Sequence, residues 1–281
     1  MAWRDRSRLV LLPCLLLVPG CLVDEVCFED LECGAGSSCD LATGRCKRWA
    51  CESDADCDEG EICNVEHRCE PRGDPIDCPE GMVSIKDLFC IDIYEASRPD
   101  ADEMSSGSDS SYATSRYGVV PWRVADNNAE AQAACTASGK DLCTEQEWFT
   151  ACQGPVPHDY AYGDDYDPAI CNGIDKFCSC EGESPCASHN PCPYAGCFWD
   201  CRPQTPFHLE GTGTNPGCTN AFGVFDMNGN VWEHVRGGSG SRVRGGAFNC
   251  GDSVELHRCD YIPGNWTPSA LGFRCCWRPD G

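Results

Sequence analysis

The sequence is short of positive charge: among 281 residues, 21 are Lys or Arg against 45 Asp or Glu, a formal net charge of −24. A surface that tracks phosphates needs Lys and Arg in surplus, so nucleic acid is excluded as a partner. Also lacking, beyond the N-terminus, is any apolar run long enough to span a bilayer as a helix. The N-terminal cysteines lack the paired Cys-x-x-Cys knuckles of structural zinc sites. What the chain does have is 27 cysteines and a hydrophobic fraction of 41%. The second figure supports a packed core and excludes disorder throughout. The first is a density found in exported, disulfide-stapled proteins.

The N-terminus agrees with export. Arg4, Arg6 and Arg8 precede an apolar run from Leu9 to Val18, followed by Pro19, Gly20 and Cys21. This has the outline of a signal peptide and is too short for a membrane-spanning helix. Cys21, after a small residue at the end of the run, resembles the lipidated cysteine of a bacterial lipobox; cleavage nearby by an ordinary signal peptidase is the alternative. On the first reading the mature chain is tethered by acyl chains. Its acidic surface is repelled by anionic headgroups, so the anchor and not electrostatics holds it to the membrane.

Eight cysteines follow in two similar runs, Cys27, Cys33, Cys39, Cys46 and Cys51, Cys57, Cys63, Cys69. The spacing is an internal duplication. Each unit, about 20 residues, is too small to bury a core, so cross-links of about 2–5 kcal/mol each must hold it. Four cysteines permit three pairings per unit, and the sequence does not choose among them. Pro71, Gly73 and Pro75 mark residues 70–77 as a linker. In the larger part, Phe89, Ile91 and Ile93 alternate with Cys90, Asp92 and Tyr94, a strand pattern. Cys78 and Cys90 flank this region and could join. The Ser- and Asp-rich stretch from Ser97 to Ser115 is expected to be a long exposed loop. Asn127 to Ala137 favours a helix stopped by Gly139. Thr144 and Glu147 form a capping-box signature for a second helix carrying Trp148 and Cys152. From Cys171 onward, Gly and Pro fragment the pattern and little regular structure is expected.

A resemblance emerges from one block and five further matches in the same order along the chain. Gly139-Lys140-Asp141-Leu142-Cys143-Thr144-Glu145-Gln146-Glu147-Trp148 resembles the "GKRLPTEAEWE" block of the formylglycine-generating enzyme, or sulfatase-modifying factor, family. Tyr162-Gly163 and Cys171-Asn172 follow, then Asn220 through Glu233 with its Gly229-Asn230-Val231-Trp232-Glu233 run, then Arg244-Gly245-Gly246, and Gly272-Phe273-Arg274-Cys275. The resemblance spans roughly residues 80–278. It implies an irregular α+β fold related to C-type lectins, with sparse secondary structure. The expected organisation is a signal peptide over 1–20, a cysteine-rich double repeat and linker over 21–77, and the family domain over 78–281.

The resemblance also implies a chemistry. Family enzymes use oxygen and copper to oxidise a protein cysteine to formylglycine, with two cysteines five residues apart holding Cu(I), a soft ion suited to thiolates. Laid on this chain, the first cysteine is Cys250 and the second position is Glu255, a hard carboxylate. Ala247 stands in place of a family serine and Ala270 in place of an asparagine. Trp232 is retained, as an active-site or a packing residue. The copper site is therefore incomplete, and the inherited oxidation is expected to be weakened or lost. The alternative is a non-catalytic, lectin-like binding module for a protein or peptide at the cell surface. By resemblance Cys135 pairs with Cys275 and Cys152 with Cys259. Setting aside Cys14 and Cys21, 17 cysteines remain in the large domain, an odd number. Cys250, its family partner replaced, is the candidate free thiol; pairing with a neighbour such as Cys218 is the other possibility.

Calcium is the expected metal. The resemblance implies ligation by Asp226, Gly229, Val231 and Glu233, two carboxylates with carbonyls that suit a hard cation; a tight metal-free turn is the alternative. The stretch also begins like an EF-hand, but Gly237 stands where the closing glutamate would be. A second calcium would begin at Asn172 and Gly173. Cys178, Cys180, Cys186, Cys192, Cys197 and Cys201 crowd into an insertion read as an oxidised knot rather than a metal cluster. His158, His189, His208, His234 and His257 read as surface or core residues. The expected location is the bacterial cell envelope, lipid-anchored at the outer membrane or cell surface.

Overall fold

The computed structural model describes residues 37–40, 45–48, 50–51, 53–64, 67–125, 128–173, 176, 209–237, 242–248, 254–264 and 270–279. They fall into two compact units divided between residues 49 and 50. In the first, β1 (Ser37–Asp40) and β2 (Arg45–Arg48) form an antiparallel hairpin with Cys39 opposite Cys46. Cys21, Cys27, Cys33 and the knot from Cys178 to Cys201 lie outside the described residues, as do His189, His208 and Cys250.

The second unit begins with the second cysteine repeat, which packs within it. β3 (Glu61–Cys63) pairs with β4 (Cys69–Pro71), and the bonds Cys51–Cys63 and Cys57–Cys69 join first to third and second to fourth. Of the three pairings open to the sequence, the fold selects this one. Lys86 fastens the repeat to the next hairpin, its Nζ donating to Asp54 Oδ1 at 2.9 Å and to the Cys63 carbonyl at 3.2 Å.

That hairpin is β5 (Met82–Ile85) against β6 (Phe89–Asp92), tied to the preceding segment by Cys78–Cys90. The strand expected from the alternation at 89–94 is present as β6, and all four of its residues are buried. The cause is its interior place in a four-stranded sheet of order β5-β6-β13-β9, whose β9 is Asp141–Leu142 and β13 is Cys275–Trp277. Asp92 is tolerated there because Lys140 Nζ lies 2.5 Å from Oδ1 and the Cys275 N–H donates to Oδ2 at 3.0 Å. A buried carboxylate without such partners would be strongly destabilising.

The segment from Ser97 to Ser115 is the long, largely exposed loop expected, and it is internally ordered. Its ends pair as β7 (Ala96–Ser97) and β8 (Thr114–Ser115), and Ala101 and Ala113 are buried. The Asp100 carboxylate accepts from the Ser108 and Asp109 N–H groups, and Asp102 from those of Met104 and Ser105. The polar composition that suggested exposure is what organises the turn.

Helix α1 (Ala129–Ala137) buries Ala131, Ala134 and Cys135 and ends ahead of Gly139 at φ 74°. Helix α2 (Glu145–Gln153) starts on a complete capping box: the Thr144 hydroxyl accepts from the Glu147 N–H, and Glu147 Oε2 accepts from the Thr144 N–H at 2.8 Å. Three bonds tie these helices to the C-terminal part: Cys135–Cys275, Cys143–Cys276 and Cys152–Cys259. Beyond Cys171, where little regular structure is expected, three short strands form a mixed sheet. β10 (Trp232–Val235) lies between antiparallel β11 (Arg242–Arg244) and parallel β12 (Leu271–Phe273). These strands, of three or four residues with turn residues between, are too brief to show a period. The core lies in two clusters, one around Trp122, Leu142, Phe248 and Phe273, the other around Ile85, Phe89, Ile91 and Trp148. Among the described residues no helix is long and apolar enough to cross a membrane.

Candidate functional site

The loop entering β10 is shaped by its backbone. Asp226 and Asn230 adopt left-handed φ values of 55° and 54°, strained for residues with a Cβ, and Gly229 sits at φ 86°. A Cβ on Gly229 would lie 2.6 Å from the Asn172 carbonyl, so only glycine lets the two segments meet. The Asp226 N–H donates to the Cys218 carbonyl at 2.9 Å. Cys218 is itself bonded to Cys171, which removes it as a partner for Cys250.

This backbone gathers three buried carboxylates around one guanidinium. Glu233 Oε1 and Oε2 accept from Arg274 at 2.6 and 2.7 Å, and Oε2 also accepts from the Trp148 indole at 2.6 Å. Asp226 Oδ2 accepts from the Gly213 N–H at 2.5 Å. Glu95 accepts from Asn230 Nδ2 at 2.5 Å and from the Val231 N–H at 3.1 Å. All four charged side chains are buried, Arg274 and Glu95 completely.

The electrostatics follow from the count. Ionising all three acids leaves two negative charges uncompensated in a low dielectric. Burial, then repulsion from Asp226 and Glu233, pushes Glu95 well above its ordinary range. Burial pushes Asp226 up to about 7, against the Gly213 hydrogen bond and Arg274, which pull it down. Burial opposes charge on Arg274, but Glu233, Glu95 and Asp226 outweigh it and hold its pKa up. Such a cluster keeps a proton or takes up a cation. The side-chain oxygens of Asp226 and Glu233 are of the hard type that calcium takes. Glu233 accepts three hydrogen bonds, leaving one of the about four acceptor positions of a carboxylate.

The sequence names Asp226, Gly229, Val231 and Glu233 here but misses Glu95, and it assigns no role to Arg274 or Trp148. A lone glutamate between Ile93-Tyr94 and the buried Ala96 was the available signal; its partners lie about 135 residues along the chain and show only in the fold. Asn172 and Gly173 are both buried beside this loop. Asn172 Nδ2 donates to Asn230 Oδ1 at 2.9 Å, and its carbonyl accepts from the Asn230 N–H at 2.8 Å.

Three of the positions matching the family's copper chemistry are buried and one is exposed. Trp232 is buried in β10, and Ala247 and Ala270 are fully buried. Glu255 is exposed on a 3-10 helix, Val254–His257. Arg258, which could offset a carboxylate beside a thiol, is engaged by Asp260 at 2.8 Å and Asp159 at 2.5 Å. His257 is buried below Gly246, where a Cβ would lie 2.6 Å from the imidazole Nδ1. His234 is buried in β10 with Nε2 3.2 Å from the Ala125 carbonyl, and His158 pairs with Asp164 at 3.1 Å. The described cysteines that carry bonds are joined in seven disulfides.

Among solved structures, the chain is similar to PvdO from Pseudomonas aeruginosa (17% identity, TM-score 0.36, covering 73% of this chain and 85% of that one). It is similar to Treponema denticola variable protein 1 (16%, TM-score 0.38, covering 68% and 84%) and to CarF (16%, TM-score 0.35, covering 73% and 95%). Comparison with curated proteins gives no match. Residues 119–279 match the sulfatase-modifying factor enzyme 1-like domain. That match covers more than half of the 281 residues, and the chain belongs to this family.

Proposed function

We propose that this chain is an exported, lipid-anchored binding module of the bacterial cell envelope, built on a sulfatase-modifying-factor domain that no longer makes formylglycine. The observation that carries the reading is Glu255. The position that the resemblance assigns to the second copper-holding thiolate is a carboxylate, on an exposed 3-10 helix. Cu(I) is soft and binds sulfur, so a hard oxygen there leaves Cys250 without the second half of a two-sulfur clasp. Ala247 and Ala270, packed into the core, supply no side-chain hydroxyl or amide to orient a substrate thiol. The residues do not fit copper, and no oxidation step is derived through it.

Calcium is proposed at Asp226, Gly229, Val231 and Glu233, supported by the excess of buried negative charge around Arg274. When bound, it supplies charge balance and rigidity to the loop that leads into β10. Export is supported by the seven disulfides, which persist in oxidising compartments. Anchoring is supported by the basic and apolar start of the chain ahead of Cys21. The partner proposed is a protein or peptide.

The direct test offers the purified, oxidised chain a Cys-x-Pro-x-Arg peptide with copper and oxygen. The expected result is an intact substrate thiol by mass spectrometry; a formylglycine product would restore the oxidase reading.

A further inference from the structure

The corner where the resemblance places a second calcium is already occupied by charge. The two residues at which that site would begin are bonded into the fold: the Asn172 carbonyl accepts from the Asn230 N–H at 2.8 Å, and the Gly173 carbonyl accepts from the Lys176 N–H at 3.1 Å. The second of these bonds ties Lys176 to Gly173. Its ammonium donates to Glu210 Oε2 at 2.8 Å and to Asn215 Oδ1. Asn215 Nδ2 donates to the same Glu210 oxygen at 2.9 Å. Asn230 then closes the network. Its Oδ1 accepts from the Glu210 N–H at 3.1 Å and from Asn172 Nδ2 at 2.9 Å, while its Nδ2 donates to the Glu210 carbonyl at 3.2 Å.

We infer that Lys176 is a built-in replacement for a metal ion: its ammonium fills the cation position of the corner formed by Asn172, Glu210, Asn215 and Asn230, and no second calcium binds there. Chemistry and charge agree. Calcium collects about six to eight oxygens, and the side-chain oxygens of Glu210 and Asn215 at this corner already receive the ammonium. An ammonium brings three donors and needs only a few acceptors, which Glu210 and Asn215 provide. The Lys176 and Glu210 side chains are 23% and 13% exposed, so the pair is shielded from competing ions in solvent. Among the described residues, Glu210 is the carboxylate paired with this ammonium.

Counting ions tests this. The full chain is stripped with chelator, dialysed to equilibrium against calcium, and measured by inductively coupled plasma mass spectrometry beside Lys176→Met, which keeps length and removes charge. The expectation is one ion in the wild type and two in Lys176→Met, with the extra ion lost again when Glu210→Gln is added. The first ion rests on the calcium reading of the Asp226 loop; the difference between the two chains does not. None in the wild type and one in the variant would sink that loop reading and still support the assignment of Lys176. Equal counts in both chains, or two ions in the wild type, would overturn it. If Lys176→Met is too unstable to dialyse, melting supplies the readout. A lowered Tm in chelator that calcium restores and magnesium does not is expected, whereas a loss that calcium leaves unrestored overturns the assignment.

Discussion

Asp226 carries the conflict on which the site turns. Its carboxyl is buried, held in a left-handed backbone, and shares one guanidinium with Glu95 and Glu233. Because its folded pKa is raised to about 7 from 3.8, the native state binds more protons than the unfolded chain between those values. The metal-free protein therefore loses stability as pH rises from about 4 to about 7. Urea unfolding in chelator across that range should show the decline. Asp226→Asn, which removes the titrating charge and keeps a side-chain oxygen, should make it shallower, the slope that stays coming from Glu95, whose pKa is also raised. Calcium, binding the ionised form, should abolish the decline in the wild type. A flat profile in chelator would mean that the three acids are compensated in some other way.

Local signals served the elements well where both partners sit within a few residues. Thr144 and Glu147 announce α2 from the sequence, and the full reciprocal box is present. Thr144→Ala removes one of its hydrogen bonds and should cost about 1 kcal/mol, read as a lower urea midpoint at unchanged slope. The Ala-rich run and Gly139 likewise announce α1. Long-range partners were not legible. Lys140 answers Asp92 from 48 residues away, and Glu95 meets Asn230 and Val231 from about 135. The loop from Ser97 to Ser115 was legible as exposed, but not its internal order, in which Asp100 and Asp102 accept from backbone donors. Bonds that staple elements have their own energetics. Adjacent Cys275 and Cys276 reach back to Cys135 and Cys143, so β13 is pinned beside both helices. Replacing Cys143 and Cys276 together by Ala should lower stability by about 2–5 kcal/mol, measurable by denaturant unfolding under non-reducing conditions.

Seen entire, the chain couples a formal charge of −24 to heavy cross-linking and a family domain over residues 119–279. Excess negative charge opposes compaction, and bridges spanning 107 to 140 residues offset it by restricting the unfolded chain. The family's motifs of packing survive in Trp148, Glu233 and Arg274, which hold one another in the core. On the proposed reading the motif of copper chemistry does not, because Glu255 stands at the position that the resemblance assigns to a second sulfur. The most direct measurement is Cu(I) binding under anaerobic conditions, by competition with a chromophoric chelator and by X-ray absorption at the copper edge. The account predicts no copper held against the chelator and no two-sulfur signature. One tightly bound Cu(I) per chain with two sulfur ligands would contradict it.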